Sequence, residues 1–330
     1  MGITLSLLVM AALLLIVILG TGVLHLYYFF GVVIPYLALA TFLLGIIYRI
    51  IKWARAPVPF HIPTTAGQQK SLPWIKDSKF DNPSMPAGVV VRMALEVLFF
   101  RSLFRNTKFE LHEGPKLTYH WEKWLWLAAL VFHWSFFLIF LRHLRFFTEP
   151  VPGFIPFLEG LDGFLRVGVR ALYLTDIGIL VAVTYLFLRR VMFPQVRYIS
   201  LPADYFPLML IFTVAFSGVL MRYFYRVDIT AVKELAMGLV TLHPRAPGEV
   251  GLLFYIHLFC VGVLGAYFPF SKLMHMGGVF LSPTRNLANN SRAYRHINPW
   301  NYPVPVHTYA EYEEEFRDKM KLAGLPLEKE

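Results

Sequence analysis

The sequence predicts an all-α membrane protein, a six-helix transmembrane bundle with both termini in the cytoplasm. Three observations predict this class. Of the 330 residues, 57% are hydrophobic and only 16% are charged. Six stretches have the roughly 20 mainly apolar residues that a membrane-spanning helix needs; they cover about 4–24, 28–48, 124–144, 167–188, 204–221 and 251–271. The third observation is an unequal distribution of Lys and Arg between the two sides that six spans define.

The basic residues predict the orientation. Six spans place both termini on one side, and that side holds 23 of the 31 Lys and Arg residues, against 8 on the other. An excess of basic residues near span ends marks the cytoplasmic side. Arg49 and Lys52 after the second span, and Arg189 and Arg190 after the fourth, follow this rule. The net charge of +10 is therefore explained by topology in a cell membrane, and we expect a lipid bilayer and no nucleic acid as partner.

The spans divide the chain into four regions. Residues 1–48 are an N-terminal transmembrane hairpin with a short turn near His25. Residues 49–123 are a cytoplasmic insert that begins with a proline-rich stretch. Its apolar segment 88–105 carries four charged residues, which indicates a helix at the membrane interface or against a partner. Residues 124–276 contain the other four spans, and residues 277–330 are a polar cytoplasmic tail with a helix around 309–321.

Four histidines lie in the third and sixth spans, and an ionisable ring within a span is by default a sign of function. His133 and His143 are 10 residues apart, and His257 and His275 are 18 apart. Because the third span runs outward and the sixth inward, antiparallel packing pairs His143 with His257 near the outer surface and His133 with His275 near the inner surface. As straight helices, the two segments would separate their histidines by about 15 Å and about 27 Å, respectively. These two rises do not match, and we expect tilt and a kink at Pro269 to absorb part of the difference.

Opposed imidazoles with no Asp, Glu or Cys beside them favour bis-histidine haem b over zinc or a carboxylate di-iron site. One alternative is that the histidines are satisfied core residues or a proton relay, as in a transporter or proton channel. That function calls for acidic companions, and only Asp176 and Asp204 lie in the spans. Another is a structural anchor for peripheral subunits, which leaves the histidines unexplained. Arg142 and Arg145 flank His143 and can bind haem propionates or anchor the span at the interface.

Several motifs resemble the gamma subunit of respiratory nitrate reductase, a dihaem cytochrome b that oxidises quinol. They are F-H-x9-H at 132–143, P-Q-V-R at 194–197, and H-x17-H at 257–275, which ends in F-P-F-S-K-L-M-H. The insert, the tail and the stretches S-P-T-R-N-L-A-N-N at 282–290 and R-H-I-N-P-W-N at 295–301 are similar to the DsrM family, the membrane cytochrome b subunits associated with dissimilatory sulfite reductase. The resemblance implies that His133, His143, His257 and His275 bind two haem b groups.

The resemblance also implies a substrate and partners. The substrate is menaquinol, oxidised near the outer haem, and the electrons pass to a cytoplasmic heterodisulfide-reductase-like iron–sulfur subunit. A periplasmic multihaem cytochrome c, a periplasmic iron–sulfur subunit and a second quinone-interacting membrane subunit complete the implied complex of sulfur metabolism. The single cysteine, Cys260, cannot hold an iron–sulfur cluster alone. Asp162 and Arg166 end the outer loop 146–166, close to where the nitrate enzyme has its quinol site, and are the predicted catalytic residues.

Overall fold

The computed structural model describes residues 2–56, 70, 72, 74–114, 116–167, 170–245, 250–282, 284–290 and 306–328. Most of the predicted proline-rich start of the insert and the motif at 295–301 lie outside these residues. The helices are α1 Gly2–Val17, α2 Ile34–Ala54, α3 Pro86–Phe99, α4 Arg101–Phe104, α5 Lys123–His143, α6 Phe154–Asp162, α7 Leu174–Met192, α8 Pro194–Ile199, α9 Pro202–Tyr223, α10 Ile229–Val240, α11 Leu252–Tyr267, α12 His275–Gly278 and α13 Tyr309–Leu322.

Within the described residues, five helical segments are long and apolar enough to cross a membrane: Gly2–Val23, Phe29–Ala54, Lys123–Phe146, Pro202–Tyr223 and Leu252–Phe270. Large apolar side chains such as Leu8 and Leu44 point outward from the first two, as expected where helices face lipid. The predicted fourth span is not among the five. Its helix, α7, packs against both α5 and α9, but its 19 residues include Asp176, Arg189 and Arg190.

Two short β-hairpins distinguish the structure from the predicted all-helical fold. Strands β1 Thr107–His112 and β2 Lys116–Trp121 pair antiparallel in the insert. Strands β3 Gly163–Val167 and β4 Arg170–Tyr173 pair antiparallel immediately before α7. The predicted start of the fourth span at 167 is therefore wrong, because the chain there is extended, and the helix begins at Leu174. Aromatic and β-branched residues favour such strands over helix, and apolarity alone does not distinguish the two.

The insert packs against the first half of α5. Its predicted helix 88–105 is divided into α3 and α4 by Phe100, which adopts a left-handed conformation with φ of 50°. Two indoles of α5 hold the end of α3: Trp126 Nε1 donates to the Phe99 carbonyl at 2.7 Å, and Trp134 Nε1 to the Leu98 carbonyl at 3.0 Å. These bonds place the Phe100 ring 4.8 Å from the ring of His133.

The start of the tail is bound to the insert. Arg285 pairs with Glu96 of α3 at 3.1 Å, and the backbone N–H of Asn289 donates to the Pro83 carbonyl at 2.8 Å. The side chain of buried Asn289 also donates to that of buried Asn82. Residues 284–290 are therefore fastened to the insert rather than extended away from it.

A carboxylate that precedes α3 in the chain binds arginines at both ends of α4. Asp81 pairs with Arg101 at 3.2 Å and with Arg105. Burial acts to raise the pKa of Asp81, but the hydrogen bonds from these two guanidinium groups outweigh it and lower that pKa. The carboxylate is thus held ionised, as a paired anion.

Candidate metal centres

The structure brings the four predicted histidines together as two pairs. His143 on α5 lies beside His257 on α11, with ring centroids 6.3 Å apart and ring planes inclined by 14°. His133 on α5 lies beside His275, with centroids 5.9 Å apart and planes inclined by 81°. Two axial imidazoles need about 2.0 Å per metal–nitrogen bond and about 1.1 Å from nitrogen to ring centre, which sums to about 6 Å. Each pair has the spacing that one metal ion between the rings requires.

A break in the last apolar segment explains how His275 reaches His133. Helix α11 ends at Tyr267, and two 3-10 turns follow, at Phe268–Phe270 and Lys272–Met274. The straight-helix separation of about 27 Å therefore does not apply, and the kink expected at Pro269 is a complete break of the helix. Pro269 has no N–H for the helical hydrogen bond, and the Ser271 side chain accepts from the Leu273 N–H at 3.1 Å, which begins the second turn.

The break removes the mismatch in height between the two segments. His257 and Tyr267 are 10 residues apart along α11, as are His133 and His143 along α5. Each of these stretches rises about 15 Å, so the turn after Tyr267 returns the chain to the level of His133. The turn rests on α2 at Gly45, where a Cβ atom would lie 2.7 Å from Pro269 Cβ. Only glycine allows this approach without displacing the turn.

Hydrogen bonds orient every one of the four rings through Nδ1. A carbonyl accepts from Nδ1–H in three cases, which assigns the lone pair to Nε2, the nitrogen available to a metal. In the fourth case, His257, the partner of Nδ1 is the Ser217 hydroxyl. Because this hydroxyl donates its own hydrogen to the Thr213 carbonyl at 2.7 Å, it accepts from the Nδ1–H of His257. The Nδ1 contacts are His133 to Ala129 O at 2.7 Å, His143 to Ile139 O at 2.7 Å, His275 to Lys272 O at 2.8 Å and His257 to Ser217 Oγ at 3.0 Å.

The donor set fits a haem better than an ion bound by protein alone. Each pair offers two nitrogens, whereas a structural zinc site takes four protein ligands. Across the described parts of the chain, no group of three or more His, Cys, Asp or Glu is arranged to hold a metal ion. A haem needs only axial ligands from the protein. Gly218 keeps space beside one pair, because a Cβ there would lie 3.3 Å from Cε1 of His257.

Arg142, predicted to bind a cofactor, precedes His143 and is buried in a charged cluster. Its guanidinium contacts Asp162 at 3.1 Å and Asp176 at 2.7 Å, and it donates to the Thr175 hydroxyl at 3.1 Å. Asp162 in turn accepts from the Thr175 N–H at 2.9 Å and from its hydroxyl at 2.6 Å. Arg142 Nε is buried and has no hydrogen-bond partner among the described residues. That N–H remains available to an acceptor such as a propionate.

Of the other predicted site residues, Asp162 belongs to this cluster, whereas Arg145 and Arg166 lie outside it. Arg145 pairs with Glu159 of α6 at 2.6 Å. Arg166 is exposed on β3, opposite Ala171. Asp162 is buried, with 7% of its surface exposed. The structure therefore brings Asp162 to Arg142 and places Arg166 on the surface of the adjoining hairpin.

Three residues extend the cluster and were not predicted as site residues. Tyr223 of α9 donates from its hydroxyl to Asp176 at 2.8 Å. The Tyr173 ring lies 3.9 Å from Cζ of Arg142 and 4.0 Å from Cζ of Arg222. The only signal in the sequence was Asp176, a carboxylate within a span. The aromatic partners come from β4 and from a helix 47 residues further along, so no local spacing reveals them.

Comparison with known proteins shows the family of the chain. Residues 93–296, which include both histidine pairs, match the nitrate reductase gamma subunit family. The chain is 46% identical over 279 residues to the Hdr-like menaquinol oxidoreductase cytochrome b-like subunit of Archaeoglobus fulgidus, covering 82% of this chain and 83% of that protein. It is 43% identical over 290 residues to the protein of the same name from Archaeoglobus profundus, covering 85% of each.

Proposed function

Because this chain belongs to the nitrate reductase gamma subunit family, we propose that it is the dihaem cytochrome b subunit of a menaquinol oxidoreductase complex. It is a multi-pass membrane protein and a quinol-linked electron-transfer subunit. The finer proposal concerns its cofactors, its orientation and the partners between which it passes electrons.

Two histidine pairs support this proposal. The ring centroids lie 6.3 Å apart within one pair and 5.9 Å apart within the other. His143 and His257 would hold one haem b, and His133 and His275 the other. Haem supplies one-electron redox chemistry when it is bound. The protein contributes ring orientation and ligand basicity, because every Nδ1 contacts a carbonyl or hydroxyl oxygen.

We propose six spans, with α7 as the fourth. The charged residues of α7 distinguish it from the five apolar segments. They lie near its ends, where a membrane span tolerates charge. Asp176 is paired with Arg142, and Arg189 pairs with Glu122 at 3.1 Å. With six spans, the excess of basic residues places both termini in the cytoplasm. The His143 and His257 pair then lies toward the periplasm, and the His133 and His275 pair toward the cytoplasm.

Menaquinol is the proposed electron donor, bound at the periplasmic end near Asp162 and Arg166. Arg145 and Arg142, whose Nε–H is buried, are the proposed contacts for propionates. A heterodisulfide-reductase-like iron–sulfur subunit is the proposed cytoplasmic acceptor, and the insert and tail that cover His133 are its proposed docking surface. The relatives are named as subunits of an Hdr-like menaquinol oxidoreductase. The single cysteine, Cys260, cannot hold an iron–sulfur cluster alone, so a cluster would have to be in another subunit. A periplasmic multihaem cytochrome c, a periplasmic iron–sulfur subunit and a second quinone-interacting membrane subunit complete this proposed complex of sulfur metabolism.

Absorption spectroscopy of the purified complex tests the proposal. We expect sharp low-spin haem b bands on reduction, two haems per copy of this chain by haem extraction, and reduction by a menaquinol analogue. Protein without haem would support the transporter or anchor functions instead. Haem that dithionite reduces and menaquinol does not would refute the quinol-linked role.

A further inference from the structure

An apolar groove runs between α7 and α9 at the end of the bundle that carries His143 and His257. Its volume is about 390 Å³. Apolar side chains form most of its wall: Leu172, Ile177, Leu180, Val181, Val219 and Phe224. Asp176 and Tyr223 add a carboxylate and a phenol, and the ring of Tyr173 lines the same groove. The groove thus combines apolar walls with a few converging polar groups, as small-molecule sites commonly do.

We propose that this groove binds the naphthoquinol headgroup of menaquinol, with Asp176 as the acceptor of a quinol proton and Tyr223 as the residue that positions Asp176. The proposal rests on the proposed quinol oxidation and names its site. Neither Asp176 nor Tyr223 was among the residues predicted to be catalytic.

Asp176 has the geometry of a proton acceptor. Its Oδ1 accepts from Arg142 at 2.7 Å, and its Oδ2 accepts from the Tyr223 hydroxyl at 2.8 Å. An ionised carboxylate offers about four lone-pair sites, so these bonds leave capacity for a quinol hydroxyl. Arg222 Nε lies 3.8 Å from Oδ2.

The location of the groove links it to the predicted haem ligands. Asp176 contacts Arg142, and the next residue along α5 is His143. The Tyr173 ring is packed against both Arg142 and Arg222, which makes this wall of the groove rigid. The Asp176–Arg142 ion pair therefore connects the groove to the segment of α5 that carries His143, a member of the histidine pair proposed to receive electrons.

A second groove, on α10, is less suited to this ligand. Its volume is about 350 Å³, and its lining includes Glu149, Lys233 and Glu234. Lys233 and Glu149 pair with each other. A site for an apolar naphthoquinol with a lipid tail needs apolar walls, and the α7 and α9 groove provides them.

The chemistry balances as follows. Menaquinol loses two protons and two electrons and becomes menaquinone. One hydroxyl proton passes to the Asp176 carboxylate, and the other passes to water at the surface. The two electrons pass singly to ferric haem b, the one-electron oxidant that the histidine pairs would hold. Asp176 returns to its ionised state by releasing its proton to the same side.

Two tryptophan substitutions on one face of α7 test binding. Val181 lines the groove and is 63% exposed, whereas Leu188 lies seven residues on, outside the groove, and is 43% exposed. Seven residues are about two helical turns, so Leu188→Trp is a matched control for Val181→Trp. In the purified complex, we would measure haem reduction by a menaquinol analogue and, separately, photolabelling by an azido-naphthoquinone without turnover.

We expect Val181→Trp to lower both the reduction rate and the labelling of α7 and α9 by at least about tenfold, equivalent to about 1.4 kcal/mol. Leu188→Trp should change neither, and dithionite should reduce the haems fully in both variants. Unchanged labelling in Val181→Trp, or labelling confined to α6 and β3, would overturn the groove while the quinol-linked function stands. Wild-type complex without haem would instead refute the proposed function.

Asp176→Asn separates proton transfer from binding. The amide keeps the shape of the side chain and an acceptor oxygen but does not accept the quinol proton. Loss of a general base lowers rates by about 10²- to 10⁴-fold, so we expect such a loss with labelling unchanged. Tyr223→Phe should shift the pH profile of reduction, because it removes the hydroxyl that bonds Asp176. A wild-type rate in Asp176→Asn, or wild-type pH profiles in both variants, would overturn the role of Asp176.

Discussion

Ser217→Ala should weaken haem binding at the His143 and His257 pair. Ser217 is the only side chain among the Nδ1 partners of the four histidines, since the other three partners are carbonyls. The substitution removes the hydroxyl that accepts from the buried Nδ1–H of His257, and a lost hydrogen bond costs about 0.5–1.5 kcal/mol. Loss of such an outer contact typically reduces metal affinity by about 10- to 100-fold, which overlaps the upper part of that range.

The assay is haem retention during dilution of the purified complex, with each haem followed by its own absorption band. Only the haem of the affected pair should dissociate faster. Its reduction potential should also rise, because a less basic imidazole stabilises ferric iron less well. Thr213→Val is the control, since the Thr213 hydroxyl bonds only Met209 O of its own helix at 2.9 Å. Equal losses from both haems, or equal effects of the two substitutions, would refute this explanation.

Three further substitutions and one truncation test other parts of the structure. Gly45→Val should displace the Pro269 turn, because a Cβ atom there already lies 2.7 Å from the proline, and loss of the inner haem alone in the absorption spectrum would show this. Truncation after Gly278 should leave both haems bound but release the iron–sulfur partner, so copurification of the intact complex would contradict the docking role. Asp162→Asn and Arg166→Gln should each slow haem reduction by a menaquinol analogue while dithionite reduces fully; unchanged rates in both would move the quinol site away from these residues.

The long helices were predictable from the sequence because hydrophobic length is a strong local signal. Five predicted spans correspond to apolar helical segments within a few residues. The hairpin before α7 was not predictable in this way. Its strands have only five and four residues, too few for a clear periodic pattern, and their pairing depends on contacts such as Leu165 with Leu172.

The histidine pairs were partly predictable. Opposite directions of two spans sufficed to match His143 with His257 and His133 with His275. The sequence indicated a kink at Pro269 but not its extent, because a proline within an apolar run does not show whether the chain kinks or turns back. Asp176 was visible as a charge within a span, but its bond to Tyr223 joins positions 47 residues apart. Such contacts arise only when the helices pack.

Single substitution of each paired histidine tests the central claim most directly. We propose that His143 and His257 bind one haem b and that His133 and His275 bind the other. Each histidine is replaced by alanine in the intact complex, and low-temperature reduced-minus-oxidised spectra are recorded. His143→Ala and His257→Ala should remove the same spectral component and leave the other, and His133→Ala and His275→Ala should do the reverse. Loss of one shared component in His143→Ala and His275→Ala would contradict the account.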